Sequence, residues 1–309
     1  MLRIGTRGSR LALKQSEWVK AQLEARYPEI GVELVKIKTT GDKVLDSPLS
    51  KIGGKGLFVK EIEDAMLERR VDLAVHSMKD VPAELPDNLY LSTYPEREDP
   101  SDALISVDDL PLDRLPPNAK VGTSSLRRGA QLLHIRPDLD LVPLRGNVDT
   151  RLRKVESGEL HAVILACAGL KRLGLADRIS QVIPQDQLLP AVGQGALGLE
   201  IRRDDAGLAD ILSFLDHGPT RMTVSAERAF LKKLEGGCQV PIAGFARLDG
   251  DRLSFKGMVA ELDGTRLFRE ETAGPKDQAE AIGIACARNL LASGADKVLE
   301  KIYGSAMDA

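Results

Sequence analysis

The first two thirds of the chain alternate short apolar runs with longer segments whose apolar residues recur every three or four positions. The strand-like runs lie at residues 3–5, 32–37, 71–75, 120–122, 139–142 and 161–166. The helical segments between them lie at residues 11–26, 58–70, 125–135 and 148–156. This alternation predicts α/β structure, and the charged, proline-rich residues 95–100 predict a linker between two such domains.

The pattern changes in the last third of the chain. A helix from about residue 220 is expected to stop at the pair Gly236 and Gly237, because glycine takes the left-handed conformation at little cost. Three strand-like runs and a final helix follow, at residues 242–248, 253–260, 267–272 and from 277 onward. This order predicts a small α+β domain.

Length and composition limit the class of protein. A chain of 309 residues is longer than one core usually supports, so two or three domains are expected. With 43% apolar and 29% charged residues it has the composition of a soluble protein, and no apolar stretch suits a signal peptide or a membrane span. We therefore expect a cytoplasmic location and no membrane partner.

Three cysteines without a CxxC pair argue against a disulfide framework or a structural zinc site. Cys167 and Cys286 lie in apolar runs and are expected in the core, whereas Cys238 lies on a turn. Cys238 is therefore the cysteine most suited to chemistry, although an exposed thiol without a role is the simpler alternative. The four histidines lack metal-ligand spacing, so we expect them to be structural and predict no metal.

Positive charge is concentrated in two segments. Residues 1–60 hold twelve Lys and Arg against six Asp and Glu, and residues 120–154 hold eight against three. Aromatic residues make up only 4% of the chain and do not accompany the arginines, which disfavours nucleic acid as the partner. A small polyanion fits better.

Short polar or basic turns follow several predicted strands, where α/β folds place their ligands. They lie at residues 6–9, 76–80, 122–128 and 144–147. Helix capping would explain any one of these turns, but four basic turns together favour an anion site. Asp80 is a single carboxylate among them, which suits either the stabilisation of a cation on the substrate or a salt bridge to Lys79 or a neighbouring arginine.

One match to a known motif is misleading. Residues 193–198 fit the pattern GxGxxG, but residues 199–201 continue as a strand instead of opening a helix. We therefore do not expect a dinucleotide site.

Seven longer motifs extend along the whole chain. They are Gly5-Thr6-Arg7-Gly8-Ser9, Gly53-Gly54-Lys55-Gly56-Leu57-Phe58, Ala74-Val75-His76-Ser77-Met78-Lys79-Asp80, Gly122-Thr123-Ser124-Ser125-Leu126-Arg127-Arg128, Leu144-Arg145-Gly146-Asn147, Ala191-Val192-Gly193-Gln194-Gly195-Ala196 and Glu235-Gly236-Gly237-Cys238-Gln239-Val240-Pro241. Through them the chain resembles the porphobilinogen deaminase (hydroxymethylbilane synthase) family from end to end. So many motifs in the same order are specific to the family. The sequence departs visibly at Arg10, where many relatives have proline, and we expect Arg10 to be solvated.

The resemblance implies two α/β domains like a type II periplasmic-binding-protein pair and a small C-terminal α+β domain with a three-stranded antiparallel sheet. Domain 1 would comprise residues 1–97 with 196–216, domain 2 residues 98–195, and the C-terminal domain, which carries the cofactor cysteine, residues 217–309. The return of the chain to domain 1 follows from the family alone, because the hydrophobic pattern does not reveal it.

The resemblance also implies the roles of individual residues. Cys238 would hold a dipyrromethane cofactor through a thioether, and Asp80 would be catalytic. The other cofactor-binding residues would be Lys79, Ser77, Thr123, Ser124, Ser125, Arg127, Arg128, Arg145, Gly146 and Asn147. The residues that bind the substrate and the growing chain would be Arg7, Ser9, Lys51, Lys55, Phe58, Arg151, Arg172 and Gln194.

The implied function is that of a transferase in porphyrin and heme biosynthesis. It would join four molecules of porphobilinogen head to tail, release ammonia, and yield the linear tetrapyrrole hydroxymethylbilane. The resemblance further implies a monomer that passes its product to uroporphyrinogen-III synthase. Two rivals are an anion-binding receptor on the same fold, which would not need Cys238, and a binder of single-stranded nucleic acid.

Overall fold

The structure is a computed structural model that describes residues 1–43, 56–236 and 240–307. The first α/β unit begins with β1 (Leu2–Thr6), α1 (Arg10–Arg26), β2 (Val32–Lys36), α2 (Thr40–Lys43), α3 (Lys60–Leu67), β3 (Leu73–Ser77) and β4 (Leu89–Thr93). The second unit comprises β5 (Asp102–Ser106), β6 (Lys120–Gly122), α4 (Leu126–Ile135), β7 (Asp140–Val142), α5 (Val148–Glu156), β8 (Ala162–Ala166), α6 (Cys167–Arg172) and β9 (Gln181–Ile183).

The chain then returns to the first unit before it forms the third. The returning elements are β10 (Leu197–Arg202) and α7 (Ala206–Leu212). The third unit comprises α8 (Gly218–Lys233), β11 (Ile242–Asp249), β12 (Arg252–Ala260), β13 (Leu267–Pro275), α9 (Ala279–Leu290), a π-helical segment (Leu291–Ala295) and α10 (Asp296–Met307).

The first sheet has the strand order β2-β1-β3-β10-β4. β1 is parallel to β2 and β3, whereas β10 is antiparallel to both β3 and β4. Every residue of β10 is buried, including Glu200 and Arg202, because helices or other strands cover it on all sides. The strand that follows the second unit therefore completes the first sheet, as the family resemblance implies.

The second sheet repeats this arrangement with the order β7-β6-β8-β5-β9. Its apolar strand β8, with the sequence AVILA, lies between β6 and β5 and is almost wholly buried. The third sheet is antiparallel, β11-β12-β13, and β12 alternates exposed and buried residues over its first half because its other face packs on α8 and α9. The predicted fold class, two α/β units and an α+β unit with a three-stranded antiparallel sheet, is confirmed.

One buried ion pair, between Arg97 and Glu227, holds the connections between the units. Arg97, in the first connection, donates to both carboxylate oxygens of Glu227 on α8, at 2.6 and 3.1 Å. Glu227 also accepts from the backbone nitrogens of Gly193 and Ala246. One carboxylate therefore joins both connections between the α/β units to the third unit.

Sequence patterning missed β4, β5 and β9, and it placed the end of α8 incorrectly. The helix ends at Lys233, and the residue with a left-handed backbone is Glu235, with a φ of 54°, instead of a glycine. Gly236 is needed for a different reason: a Cβ there would lie 2.6 Å from the Ile242 side chain. The expectation that Cys167 and Cys286 are core residues is confirmed, since both are fully buried.

Candidate functional site

A cleft of about 600 Å³ lies between the two α/β units. The turns that follow β1 and β3 form one wall, and the turn that follows β7 forms the other together with α6. Ends of parallel strands meet at one edge of a sheet, so residues that are distant in sequence come together here.

The cleft is strongly cationic. Among the described residues that line it, eight are basic: Arg7, Arg10, Lys38, Lys79, Arg128, Arg145, Arg151 and Arg172. Two are acidic, Asp80 and Asp149. Asp149 pairs with Arg10 at 2.7 Å, so its charge is compensated from across the cleft. Such a lining suits a ligand that carries several carboxylates.

Burial weakens the hold of three of these cations on their protons, and repulsion from neighbouring arginines adds to the effect for two of them. Burial, together with the nearby charge of Arg128, lowers the pKa of Lys79 to about 8. Burial, with Arg128 and Arg145, lowers the pKa of Arg151 to about 10, and burial likewise lowers the pKa of Arg172 to about 10. An anionic ligand would relieve this repulsion, so the cleft is prepared to bind one.

A 3₁₀ turn, Met78–Asp80, carries Lys79 and Asp80 to the cleft directly after β3. The backbone nitrogen of Met78 donates to the carbonyl oxygen of Ala196 at 3.0 Å, and the Met78 side chain is buried. Gly193 has a φ of 72°, and a Cβ there would lie 2.8 Å from the Cβ of Met78. The turn therefore rests on the segment that leads into β10.

Two helices begin at the cleft wall. Ser9 caps α1 by accepting from the Ala12 nitrogen at 3.3 Å, and Asn147 caps α5 by accepting from the Thr150 nitrogen at 2.9 Å. Gly146, before Asn147, has a φ of 101°, which favours glycine. These helix starts can add backbone N–H donors to the cations.

The predicted cofactor-binding hydroxyls of Thr123, Ser124 and Ser125 form hydrogen bonds within the second unit. Ser124 donates to the Leu144 carbonyl at 2.7 Å and accepts from the Leu144 nitrogen at 2.8 Å. Thr123 Oγ1 accepts from the Ser125 nitrogen, and Ser125 caps α4. These hydroxyls shape the strand ends beside the cleft, and their contact with a ligand stays a prediction.

Arg127 and Arg128 share a buried partner that patterning did not identify. Asp102 Oδ2 lies 2.8 Å from Arg127 Nη1, and Asp102 Oδ1 lies 2.6 Å from Arg128 Nη2. Burial alone would raise the pKa of Asp102, but the two guanidiniums hold it far below its usual range. Arg128 also lines the cleft, whereas Arg127 donates to the Leu189 carbonyl at 2.6 Å.

Gln194 and Arg172 form hydrogen bonds at the two connections between the α/β units, residues 95–101 and 191–196. Gln194 Nε2 donates to the Pro100 carbonyl at 2.6 Å and to Asp102 Oδ1 at 3.0 Å. Arg172 Nη2 donates to the Gly195 carbonyl at 2.6 Å, and its side chain lines the cleft. Both hydrogen-bond sets therefore link the second connection, residues 191–196, to the second unit.

The other predicted residues divide into two groups. Arg7 stacks on Phe58, with its guanidinium carbon 4.1 Å from the ring centroid, and both line the cleft with Ser77 and Arg145. Lys51, Lys55 and Cys238 lie outside the described residues.

Patterning missed Lys38, Arg10, Asp149 and Asp102. Arg10 was expected to be solvated, and its side chain is half exposed; its pairing with Asp149 was not predicted, and it forms because the starts of α1 and α5 face each other across the cleft. The only sequence signal for Asp102 is a carboxylate at the start of an apolar run.

The histidines form hydrogen bonds within the protein. His76 contacts Glu200, His134 the Gly264 carbonyl, His161 the Lys120 nitrogen, and His217 Thr220. Within residues 1–43, 56–236 and 240–307, no group of three potential ligands could hold a metal ion. No described helix is long and apolar enough to cross a membrane.

The fold and the cleft define a class: a protein of two α/β units with a strongly basic cleft between them and a small α+β unit attached. A family model described as "Porphobilinogen deaminase, dipyromethane cofactor binding domain" matches residues 2–210. A second, "Porphobilinogen deaminase, C-terminal domain", matches residues 221–292.

Curated relatives agree with these models. A porphobilinogen deaminase of Geobacter sulfurreducens is 56% identical over 98% of this chain and 95% of its own length. One of Nitratidesulfovibrio vulgaris is 56% identical over 98% and 96%. The chain belongs to the porphobilinogen deaminase family, and the predicted transferase of tetrapyrrole assembly is confirmed.

Solved structures with a similar fold are much more distant. The aliphatic sulphonate binding protein SsuA of Escherichia coli has a TM-score of 0.41 and 16% identity, covering 76% of this chain and 70% of its own. A substrate binding domain of a putative molybdenum transporter from Clostridium difficile has a TM-score of 0.44 and 10% identity, covering 70% and 92%. The family assignment rests on the sequence matches alone.

Proposed function

We propose that this enzyme joins four porphobilinogen molecules in the cleft, with Asp80 as the catalytic group and a dipyrromethane primer attached to Cys238. The observation that carries the proposal is that Asp80 is one of two acids in a described lining with eight basic residues, and that the other acid, Asp149, is paired with Arg10. The cations of the cleft bind the acidic side chains of the pyrroles, and the Asp80 carboxylate is available to stabilise positive charge on a pyrrole ring.

Asp80 accepts hydrogen bonds from pyrrole N–H groups of the substrate. As the substrate amine leaves as ammonia, positive charge develops on the ring, and the Asp80 carboxylate stabilises it. The same carboxylate stabilises the ring while the new carbon–carbon bond forms. Asp149, the other described acid of the cleft, is engaged by Arg10 and does not compete for this role.

The lining fits a dipyrromethane by the chemistry of its donors. Guanidinium groups bind carboxylates in pairs of hydrogen bonds, and each pyrrole of the primer carries an acetate and a propionate. Arg128, Arg145, Lys79, Ser77, Gly146 and Asn147 lie together on this lining. When bound, the primer supplies the terminal pyrrole to which the first substrate is joined.

Attachment through Cys238 is supported by the burial and the raised pKa of the other two cysteines. A thioether forms from a thiolate, and burial raises the pKa of both Cys167 and Cys286 to about 12. The chain has three cysteines, so Cys238 is the remaining nucleophile.

Substrate and growing chain contact the other cations. Arg7 and Phe58 form a stacked pair on one wall, and Arg151 and Arg172 lie on the other. Arg151 and Arg172, whose pKa values are both lowered to about 10, gain from an anionic partner. Ser9 and Gln194 add polar groups, and Lys51 and Lys55 complete the set.

We assign the units to domains as residues 1–97 with 196–216, residues 98–195, and residues 217–309. Three separate sheets and separate apolar clusters support this division. The enzyme acts as a monomer in the cytoplasm and passes its product to uroporphyrinogen-III synthase.

The test is the variant Asp80→Asn, which keeps the shape of the side chain and removes its charge. Turnover should fall by about 10² to 10⁴, the range attributed to positioned acid–base groups, while the protein still folds and carries its primer. Asp87→Asn is the matched control, because Asp87 is exposed in a loop seven residues further along. Near-normal turnover of Asp80→Asn would reduce Asp80 to a structural residue.

A further inference from the structure

A buried pair of ionisable side chains lies behind the cleft. His76 Nε2, on β3, is 2.8 Å from Glu200 Oε2, on β10, and the side chains are 4% and 0% exposed. The pair is 124 residues apart in sequence and links the two strands that meet at the centre of the first sheet.

The surroundings of this pair limit how much it stabilises the folded protein. Glu63, on α3, is a second buried carboxylate there, and burial together with the charge of Glu200 raises its pKa to about 7. The other charged groups that act on the cluster are Lys60 and Asp64 of α3 and Arg228 of α8. A buried charged pair often stabilises a fold no better than apolar side chains of similar size.

The position of the pair suggests another role. Residue 77, next after His76, already lines the cleft, and residues 78–80 form the turn that carries Asp80. Glu200 follows the segment of residues 193–196, on which that turn rests. The hydrogen bond thus fixes β3 to β10 just behind the turn.

We propose that the His76–Glu200 hydrogen bond positions the Ser77–Asp80 turn, so that the Asp80 carboxylate is aimed at the substrate ring. This inference rests on the proposed catalytic role of Asp80. A hydrogen bond is directional, whereas apolar packing is not, so the pair restricts the end of β3 more tightly than two apolar side chains would. Neither residue touches the substrate, and both are positioning residues.

The experiment compares four variants of the holoenzyme by their unfolding free energy, kcat and KM for porphobilinogen. Glu200→Leu leaves the imidazole without its partner and should lose both stability and kcat. The double variant His76→Phe with Glu200→Leu replaces the pair by apolar groups and should regain stability. Its kcat should stay about tenfold or more below the parent, with KM within about twofold, because a small misplacement of a catalytic group is costly.

Glu200→Gln keeps the size and an acceptor oxygen, so it should retain most of the kcat. A double variant as stable and as active as the parent would overturn the proposal, since a purely structural pair restores both together. Asp80→Asn, measured in parallel, separates the two ideas. If Asp80→Asn is inactive and the double variant fully active, positioning fails and the role of Asp80 stands; if Asp80→Asn is active, the proposed function itself fails.

Discussion

Arg10 and Asp149 join the two walls of the cleft, with 2.7 Å between Arg10 Nη1 and Asp149 Oδ1. Arg10 is the first residue of α1 in the first unit, and Asp149 lies in the first turn of α5 in the second. The side chains are 50% and 39% exposed, so the pair contributes little to stability and acts mainly on the charge of the cleft entrance.

Neutralising one partner or the other should therefore change KM for porphobilinogen in opposite directions. Asp149→Asn releases a guanidinium and should lower KM, whereas Arg10→Gln leaves an uncompensated carboxylate and should raise it. Each change should be about two- to fivefold at low salt and should vanish at high salt, where exposed charges are screened. Equal shifts in the same direction would show that the pair works by holding the cleft closed.

Two arginines of the second unit should respond differently to the same substitution. Arg127→Leu leaves buried Asp102 with one guanidinium fewer, and the unfolding free energy should fall by about 3 kcal/mol. Arg151→Leu removes a cation whose pKa is already lowered by burial and by the neighbouring arginines, and stability should stay within about 1 kcal/mol of the parent.

Binding of the growing chain should depend more on Arg151 than stability does. A charged hydrogen bond contributes about 1.5 to 3 kcal/mol, so Arg151→Leu should weaken the binding of one stage of the chain by about tenfold or more. Mass analysis under limiting substrate should show an altered distribution of enzyme-bound intermediates. The same distribution as in the parent would favour a general electrostatic attraction over staged binding.

Glu63 should make the stability of the fold depend on pH. Its pKa is about 7 in the folded protein and near its ordinary value in the unfolded chain, so the folded state binds the extra proton between these values. The stabilising contribution of this proton is complete below the unfolded pKa and is lost as the pH rises through about 7.

Glu63→Gln, which stays neutral, should therefore be more stable than the parent at pH 8, by up to roughly 3 kcal/mol. The difference should shrink as the pH falls toward 5. Asp64→Asn is the matched control, because Asp64 is the next residue of the same helix and is 47% exposed. Parallel stability curves for Glu63→Gln and the parent from pH 5 to 8 would contradict the assignment of this titration to Glu63.

Local pattern predicted the elements whose burial is regular. The apolar residues of β8 and the periodic residues of α5 fall where the sequence placed them. β5 was missed because it begins with Asp102, whose charge is compensated by arginines 25 and 26 residues later. No local window contains that information, and the same holds for the return of β10 to the first sheet.

The family motifs predicted more of the site residues than the pattern of strands, turns and charges did. The strand-end turns predicted to bind an anion do line one cleft through Arg7, Asp80 and Arg145, and parallel strands explain why such turns gather at one edge of each sheet. The pairing of Arg10 with Asp149 was not predicted, because the two residues are 139 positions apart in sequence and lie in different units. Long-range charge pairing is therefore the part of this site that a single sequence did not reveal.

The central claim is that Cys238 holds a covalent dipyrromethane, and the intact mass of the purified, active protein tests it most directly. The mass should exceed that of the 309-residue chain by two pyrrole units, and Cys238→Ser should lack this addition together with activity. Cys167→Ser and Cys286→Ser are the matched controls and should keep the addition. A mass equal to the bare chain in fully active protein would contradict the account.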